Sequence, residues 1–139
     1  MATTTATITL SSADLLTDSL SLSSTSTLYD AGTTTGLTQY DSGRVEIPGD
    51  NNIYVLLDST VAAVDKGNRV YVANKNTDET HYVIISIDEA VLGRLYGGDW
   101  MFIPWSQADA AANLEIKAPN EVNAVEYVIF HEGKTFTGA

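Results

Sequence analysis

Residues 95–105 read LYGGDWMFIPW and gather both tryptophans of a 139-residue chain with a proline, a methionine and a phenylalanine. Gly97-Gly98-Asp99 can adopt the positive-φ geometry of a tight turn, so the segment reads as a turn feeding a strand. Along that strand Trp100, Phe102 and Pro104 share one face, and Met101, Ile103 and Trp105 share the other. Both faces are apolar, the pattern of a strand covered on both sides, inside a sandwich or between subunits. Pro104 has no N–H to give a ladder, which places the strand at an edge or beside a bulge. An apolar edge strand is an aggregation hazard unless a neighbour covers it. The competing reading is a sugar-stacking pocket built from Tyr96, Asp99, Trp100 and Trp105. The strand reading predicts that Trp100 and Trp105 point to opposite faces, one in the core and one under a neighbouring element or subunit.

Working outward, the chain punctuates itself into short strands. Thr7–Leu10 and Ser19–Ser23 alternate polar and apolar residues, as half-buried strands do, although the first 43 residues are dominated by Ser and Thr. Further strands are expected at Arg44–Ile47, Ile53–Leu57, Arg69–Ala73, His81–Ile87, Trp100–Trp105, Asn113–Ala118 and Ala124–Phe130. Pro48–Asn52, Asp65–Asn68, Asn74–Thr80 and Pro119-Asn120 turn the chain between them. Helical turns fit only at Ala13–Asp18 and Gln107–Ala112, both too short to stand alone. About nine short strands at this spacing predict an all-β, antiparallel β-sandwich, with a jelly roll as the favoured version. Residues 1–12 form an N-terminal arm or first strand, and 13–139 a single β-sandwich domain large enough for a hydrophobic core.

Composition excludes several function classes. The formal charge is −11, with only seven Lys and Arg, none before Arg44. Nucleic-acid binding needs clustered cations, so it is not expected. The absence of cysteine rules out disulfides and thiolate metal sites. The N-terminus lacks the basic and apolar regions of a secretory signal, and no apolar run is long enough for a membrane helix. His81 and His131 stand at the ends of expected strands, and HExxH is absent, so no metal site is expected. Asn74–Asp78 carries side-chain oxygens at alternate positions like a calcium loop. Glu79 and Ile85 stand where that loop needs Gly and Glu, so a polar hairpin turn is expected instead. Asp78-Glu79 and Asp88-Glu89 are adjacent acids that a strand would point to opposite faces. No nucleophile elbow or phosphate loop occurs. No catalytic residue and no cofactor is assigned, and the protein is expected not to be an enzyme.

Two segments carry a resemblance. Residues 16–45 (LTDSLSLSSTSTLYDAGTTTGLTQYDSGRV) combine a Ser/Thr-rich leader with Ala31-Gly32 and Thr35-Gly36-Leu37. Residues 69–105 run from Val70-Tyr71-Val72 and Asn74 to the GRLYxGDWxFxPW element of Gly93 to Trp105, and Val125-Glu126-Tyr127 closes the pattern. Together they resemble small β-rich virion structural proteins of tailed bacteriophages, especially marine and cyanobacterial ones. The resemblance implies a virion component assembled in the host cytoplasm: a capsid decoration or cement protein, or a tail, neck or fibre component. It brings no catalytic residues. The expected partners are the major capsid protein or other virion subunits and further copies of the chain, as a homotrimer, with a glycan as the alternative ligand. The candidate interface and packing residues are Ile8, Leu10, Tyr96, Trp100, Phe102, Pro104 and Trp105.

Overall fold

A computed structural model describes residues 3–13, 20–28, 40–58, 66–106 and 113–135. The strands are β1 (Thr4–Ser12), β2 (Leu20–Leu28), β3 (Tyr40–Ile47), β4 (Tyr54–Leu57), β5 (Lys66–Asn74), β6 (Tyr82–Ile87), β7 (Ala90–Tyr96), β8 (Trp100–Ser106), β9 (Leu114–Lys117) and β10 (Asn123–Thr135). No helix occurs among the described residues, and the two expected helical turns lie almost wholly outside them.

Eight of the strands build a sandwich of two four-stranded antiparallel sheets, ordered β3-β10-β5-β8 and β4-β9-β6-β7. The ladder pairs are nested: β6 with β7, β5 with β8, β4 with β9, and β3 with β10. A long antiparallel ribbon rolled over on itself gives this nesting, which is the jelly-roll arrangement. Alternation along the strands supplies the filling between the sheets. Val70, Val72, Val125, Ile129 and Trp105 point inward from one sheet, and Val83, Ile85, Leu95, Leu114 and Ile116 from the other.

β7 is the strand that residue pattern alone does not reveal. Its sequence, AVLGRLY, puts Val91 and Leu92 side by side with Gly93 and does not alternate. Asp88 and Glu89, just past the expected strand His81–Ile87, form the two-residue turn between β6 and β7, with φ of 48° and 64°. Two successive positive φ values define the hairpin turn whose twist matches the strands it joins, and that turn ordinarily uses Gly or Asn. Here the cost is offset from β9: the buried Glu115 carboxylate accepts bonds from the Glu89 N–H (2.8 Å) and the Ser86 hydroxyl (3.3 Å).

Asn74–Thr80 is likewise not a hairpin turn. It carries the chain from β5 in one sheet to β6 in the other. The alternating oxygens suggestive of calcium are engaged by the loop itself. Asn74 Oδ1 accepts from the Asn76 N–H, Asn76 Oδ1 from the Asp78 N–H, and Asp78 Oδ1 from the Thr80 N–H. These are consecutive Asx turns. The buried Asn74 amide donates to Leu95 O (2.9 Å) and Asn123 Oδ1 (3.1 Å), which ties β5, β7 and β10 together at one end of the sandwich. Gly97 lies against this loop, where a Cβ would collide with the Asp78 and Asn76 carbonyl oxygens, and Gly98 has φ 92°. The two glycines are therefore required by the turn into β8.

Candidate functional site

β1 and β2 stand outside the sandwich as a two-stranded sheet of their own. Register pairs Thr4 with Leu28, Ile8 with Ser24, Leu10 with Leu22, and Ser12 with Leu20. Alternation then sorts the hairpin into two unlike faces. Thr5, Thr7, Thr9, Ser11, Ser21, Ser23, Thr25 and Thr27 make one face entirely of hydroxyls, with Thr7 and Thr25 hydrogen-bonded across it at 2.9 Å. The other face carries Ala6, Ile8, Leu10, Leu20, Leu22 and Leu28 together with Thr4, Ser12, Ser24 and Ser26. Neither strand contains a charged residue, although the chain has 18 Asp and Glu.

The apolar face turns toward the outer surface of the β3-β10-β5-β8 sheet. Leu28 is buried there, and a cleft of about 500 Å³ separates the rest of the hairpin from the sheet. Its floor is aromatic, with Tyr71 of β5, Trp100 and Phe102 of β8, and Phe130 of β10. The Tyr71 and Trp100 ring centroids lie 6.3 Å apart, and Phe102 meets Phe130 edge-on at the same separation. Arg69 closes one side, paired at 3.3 Å with the buried Glu132 carboxylate, so its charge is neutralised locally. Among the described residues no acidic side chain lines the cleft.

The two tryptophans point to opposite faces as the strand reading predicts, but the cover it expects over the second is only partial. Trp105 is 1% exposed and belongs to the core, whereas Trp100 is 53% exposed on the opposite face, at the cleft beside the hairpin. β8 is an edge strand, with β5 its single ladder partner among the described residues, which is one of the two placements Pro104 allows. Two-sided burial does not follow, however. Phe102 is half-buried and Pro104 exposed, because the hairpin roofs the outer face loosely instead of packing onto it.

Of the seven sequence candidates, Ile8, Trp100 and Phe102 line the cleft. Leu10 lies farther along the same hairpin face, beyond the cleft lining. Trp105 fills the core. Tyr96 belongs to the other sheet, where its ring meets that of Tyr82 at a tilt, with centroids 5.2 Å apart. The sugar pocket of Tyr96, Asp99, Trp100 and Trp105 is therefore not assembled. Sequence reasoning missed Tyr71, Val128 and Phe130. They are the outward residues of strands whose neighbours Val70, Val72 and Ile129 are core, so a two-sided apolar pattern on β5 and β10 was the available signal.

The histidines serve structure in different ways. His81 precedes β6, and its Nδ1 meets the Asn76 amide at 3.2 Å. His131 lies within β10, not at its end, with Nε2 at 2.7 Å from Asp41 Oδ2 of β3. Among the described residues no three His, Asp or Glu side chains are grouped to hold a metal ion. A smaller groove of about 320 Å³, lined by residues including Ile47, Tyr54, Val55 and Tyr127, lies at the edge shared by β3 and β4.

No family model matches the chain. No curated protein matches it. Among solved structures it is similar to the Yersinia pseudotuberculosis-derived mitogen (YPM), with a TM-score of 0.40, 8% identity, and coverage of 73% of this chain and 89% of that one.

Proposed function

We propose that this protein is a non-enzymatic structural component of a tailed-phage virion, a decoration or cement protein on the outside of the capsid shell. The observation that carries this reading is the β1–β2 hairpin. Its two strands carry no charge and stand outside the jelly roll, with both outer ladder edges open among the described residues and several apolar side chains of one face exposed. Open strand edges accept a neighbour's backbone without special side chains, and weak contacts repeated over a symmetric shell sum through multivalency. The acidic remainder of the surface keeps copies apart in solution until specific contacts form. Quantitative mass spectrometry of purified particles tests the assignment. Decoration at symmetric shell positions predicts on the order of hundreds of copies per particle, and a few dozen or fewer would make it a tail or neck component. Deleting residues 1–12 should leave a folded sandwich that no longer stays on the particle.

One observation favours a second reading, glycan recognition. Trp100 and Tyr71 present ring faces in a cleft that also exposes the hydroxyl-bearing residues Thr4, Ser24 and Ser26. Because Trp105 is buried, any tryptophan fluorescence response to host polysaccharide would report Trp100. A flat titration would remove this reading.

A further inference from the structure

The outer face of the β4-β9-β6-β7 sheet carries cations that nothing in the sandwich uses. Register sets Arg94 of β7 and Lys117 of β9 on either side of Ile84 of β6. All three point outward, because their strand neighbours Val83, Ile85, Leu95 and Ile116 are core. Adjacent strands lie ~4.8 Å apart, so the two cations stand on backbones about 10 Å from each other. Arg94 is exposed, and Ile84 and Lys117 are half-buried. Among the described side chains, Arg44 and Lys75 pair with Glu126 and Arg69 with Glu132, whereas Arg94 and Lys117 have no carboxylate within ion-pair distance. Glu115 shares the face two residues from Lys117, but its carboxylate is bonded to the Ser86 hydroxyl and the Glu89 N–H. Two tyrosines fix the other end of the row. The Arg94 guanidinium carbon lies 4.6 Å from the Tyr82 ring centroid, and the Tyr96 side chain is its hydrogen-bond partner. A guanidinium seated in this way has less freedom to lose when an anion arrives.

We infer that the row Arg94–Ile84–Lys117 is a docking site for an acidic segment of a partner protein, with carboxylates on the two cations and apolar contact at Ile84. It is a second surface, on the sheet that the hairpin does not roof, and it does not rest on the capsid reading. Charge selects the occupant. On a chain of net charge −11, two neighbouring cations without acidic partners mark the place where a carboxylate gains and a basic partner loses. In an extended segment, side chains at i and i+2 share a face about 7 Å apart, within reach of two long side chains whose strands are about 10 Å apart. Charges interact over ~8 Å at physiological ionic strength, so the acidic remainder of the surface weakens this pairing without cancelling it. A sugar gains less here, because Arg94 covers the Tyr82 ring face and Tyr96 leans against the same ring. A nucleic acid brings a phosphate at every nucleotide, which two cations cannot offset against the charge of the whole chain.

The test is an amide-resolved NMR titration of the full chain with a synthetic peptide that alternates Glu and Ala, beside the same peptide with Gln for every Glu. The Glu peptide should shift amides of β6, β7 and β9, the Gln peptide should leave them nearly still, and affinity should fall as salt rises. Arg94→Gln and Lys117→Gln should each weaken binding about two- to fivefold, the scale of one surface ion pair, and the double variant about tenfold or more. Arg44→Gln removes the same charge from the other sheet and should bind like the parent. All three side chains reach the surface, so thermal melts of the variants should match the parent and separate lost binding from lost fold. Oligogalacturonate carries its carboxylates on sugar rings and should bind more weakly than the Glu peptide. Silence of that sheet, equal binding of the Gln peptide, a loss in R44Q as large as in R94Q, or tighter binding of oligogalacturonate would each overturn the inference. So would self-association of the parent that R94Q and K117Q abolish, because the occupant would then be a second copy.

Discussion

The jelly roll and the β1–β2 hairpin are both antiparallel β-structure, yet they are built on opposite principles. The sandwich surrounds its core on two sides, and that core draws no residue from the hairpin. Its buried polar groups, such as Asn74 and Glu115, are hydrogen-bonded to distant strands. Among the described residues the hairpin has no second sheet that covers it along its length, its strands carry no charge, and Leu28 is its buried apolar anchor. A two-stranded ribbon is marginal by itself. The contrast separates a part whose sequence is spent on its own stability from a part whose apolar surface is left for something else.

The two tryptophans give the largest expected difference between these regions. Trp105→Ala should cost about 3–5 kcal/mol, because it empties a large fully buried site between the sheets. Trp100→Ala removes a half-exposed ring from the cleft floor and should cost about 1 kcal/mol or less in folding, by loss of partial apolar cover. Urea melts of the two variants check this directly. Acrylamide should quench Trp100 emission and largely spare Trp105. Equal losses from the two substitutions would mean that the hairpin and its floor are as integral to folding as the core.

How far the sequence discloses this division can be read from particular residues. Alternation exposes the strands that face one core, and Pro104 narrows β8 to an edge or a bulge. Opposed placement of Trp100 and Trp105 follows from a period of two. β7 stays hidden because Val91 and Leu92 are adjacent and exposed, and because its entry turn uses Asp88-Glu89, with the stabilising carboxylate supplied by Glu115 of another strand. The Asn74 clamp is hidden for the same reason, since its partner Asn123 lies 49 residues away. The candidate site was half legible. Ile8, Leu10, Trp100 and Phe102 announce an apolar surface, but the fact that β1 and β2 pair with each other outside the sandwich is a matter of topology that local pattern does not contain.

A buried carboxylate set against an exposed hydroxyl gives an intermediate effect. Glu115→Ala should cost about 1–3 kcal/mol, because the Glu89 N–H and the Ser86 hydroxyl lose their acceptor in a buried setting and the positive-φ turn loses its support. Thr7→Ala breaks the Thr7–Thr25 bond in the open hairpin and should move the melt by no more than about 0.5 kcal/mol. Denaturant melts of both variants would sharpen the comparison. A Thr7→Ala loss as large as that of Glu115→Ala would show that the hydroxyl face is structural.

The smallest effect is expected in acid, and it also divides the molecule. The turn from β3 to β4 is held by Asp50, which accepts the Tyr54 hydroxyl at 2.6 Å, the Asn52 N–H at 3.1 Å and the Asn52 amide at 3.0 Å. The Tyr54 hydroxyl is the leading cause that keeps the Asp50 carboxyl below its ordinary 3.8, followed by the Asn52 N–H. The Thr80 hydroxyl does the same for Asp78 in the turn from β5 to β6. A group with a depressed folded pKa stabilises the fold fully above its unfolded value, and the contribution is lost as pH falls through the folded one. Stability should therefore hold flat down to about pH 4 and decline below it. The decline should be shallower in Asp50→Asn, which cannot titrate at this turn. Both carboxyls lie at the surface, so the change is modest. The hairpin strands contain no titratable side chain, so acid loosens the turns that join the two sheets and leaves β1 and β2 without a direct electrostatic response. Thermal melts from pH 5 downward, followed by Trp105 emission for the sandwich, should show the slope in the parent and its reduction in Asp50→Asn. An identical slope in the two proteins would place the acid sensitivity elsewhere among the carboxylates.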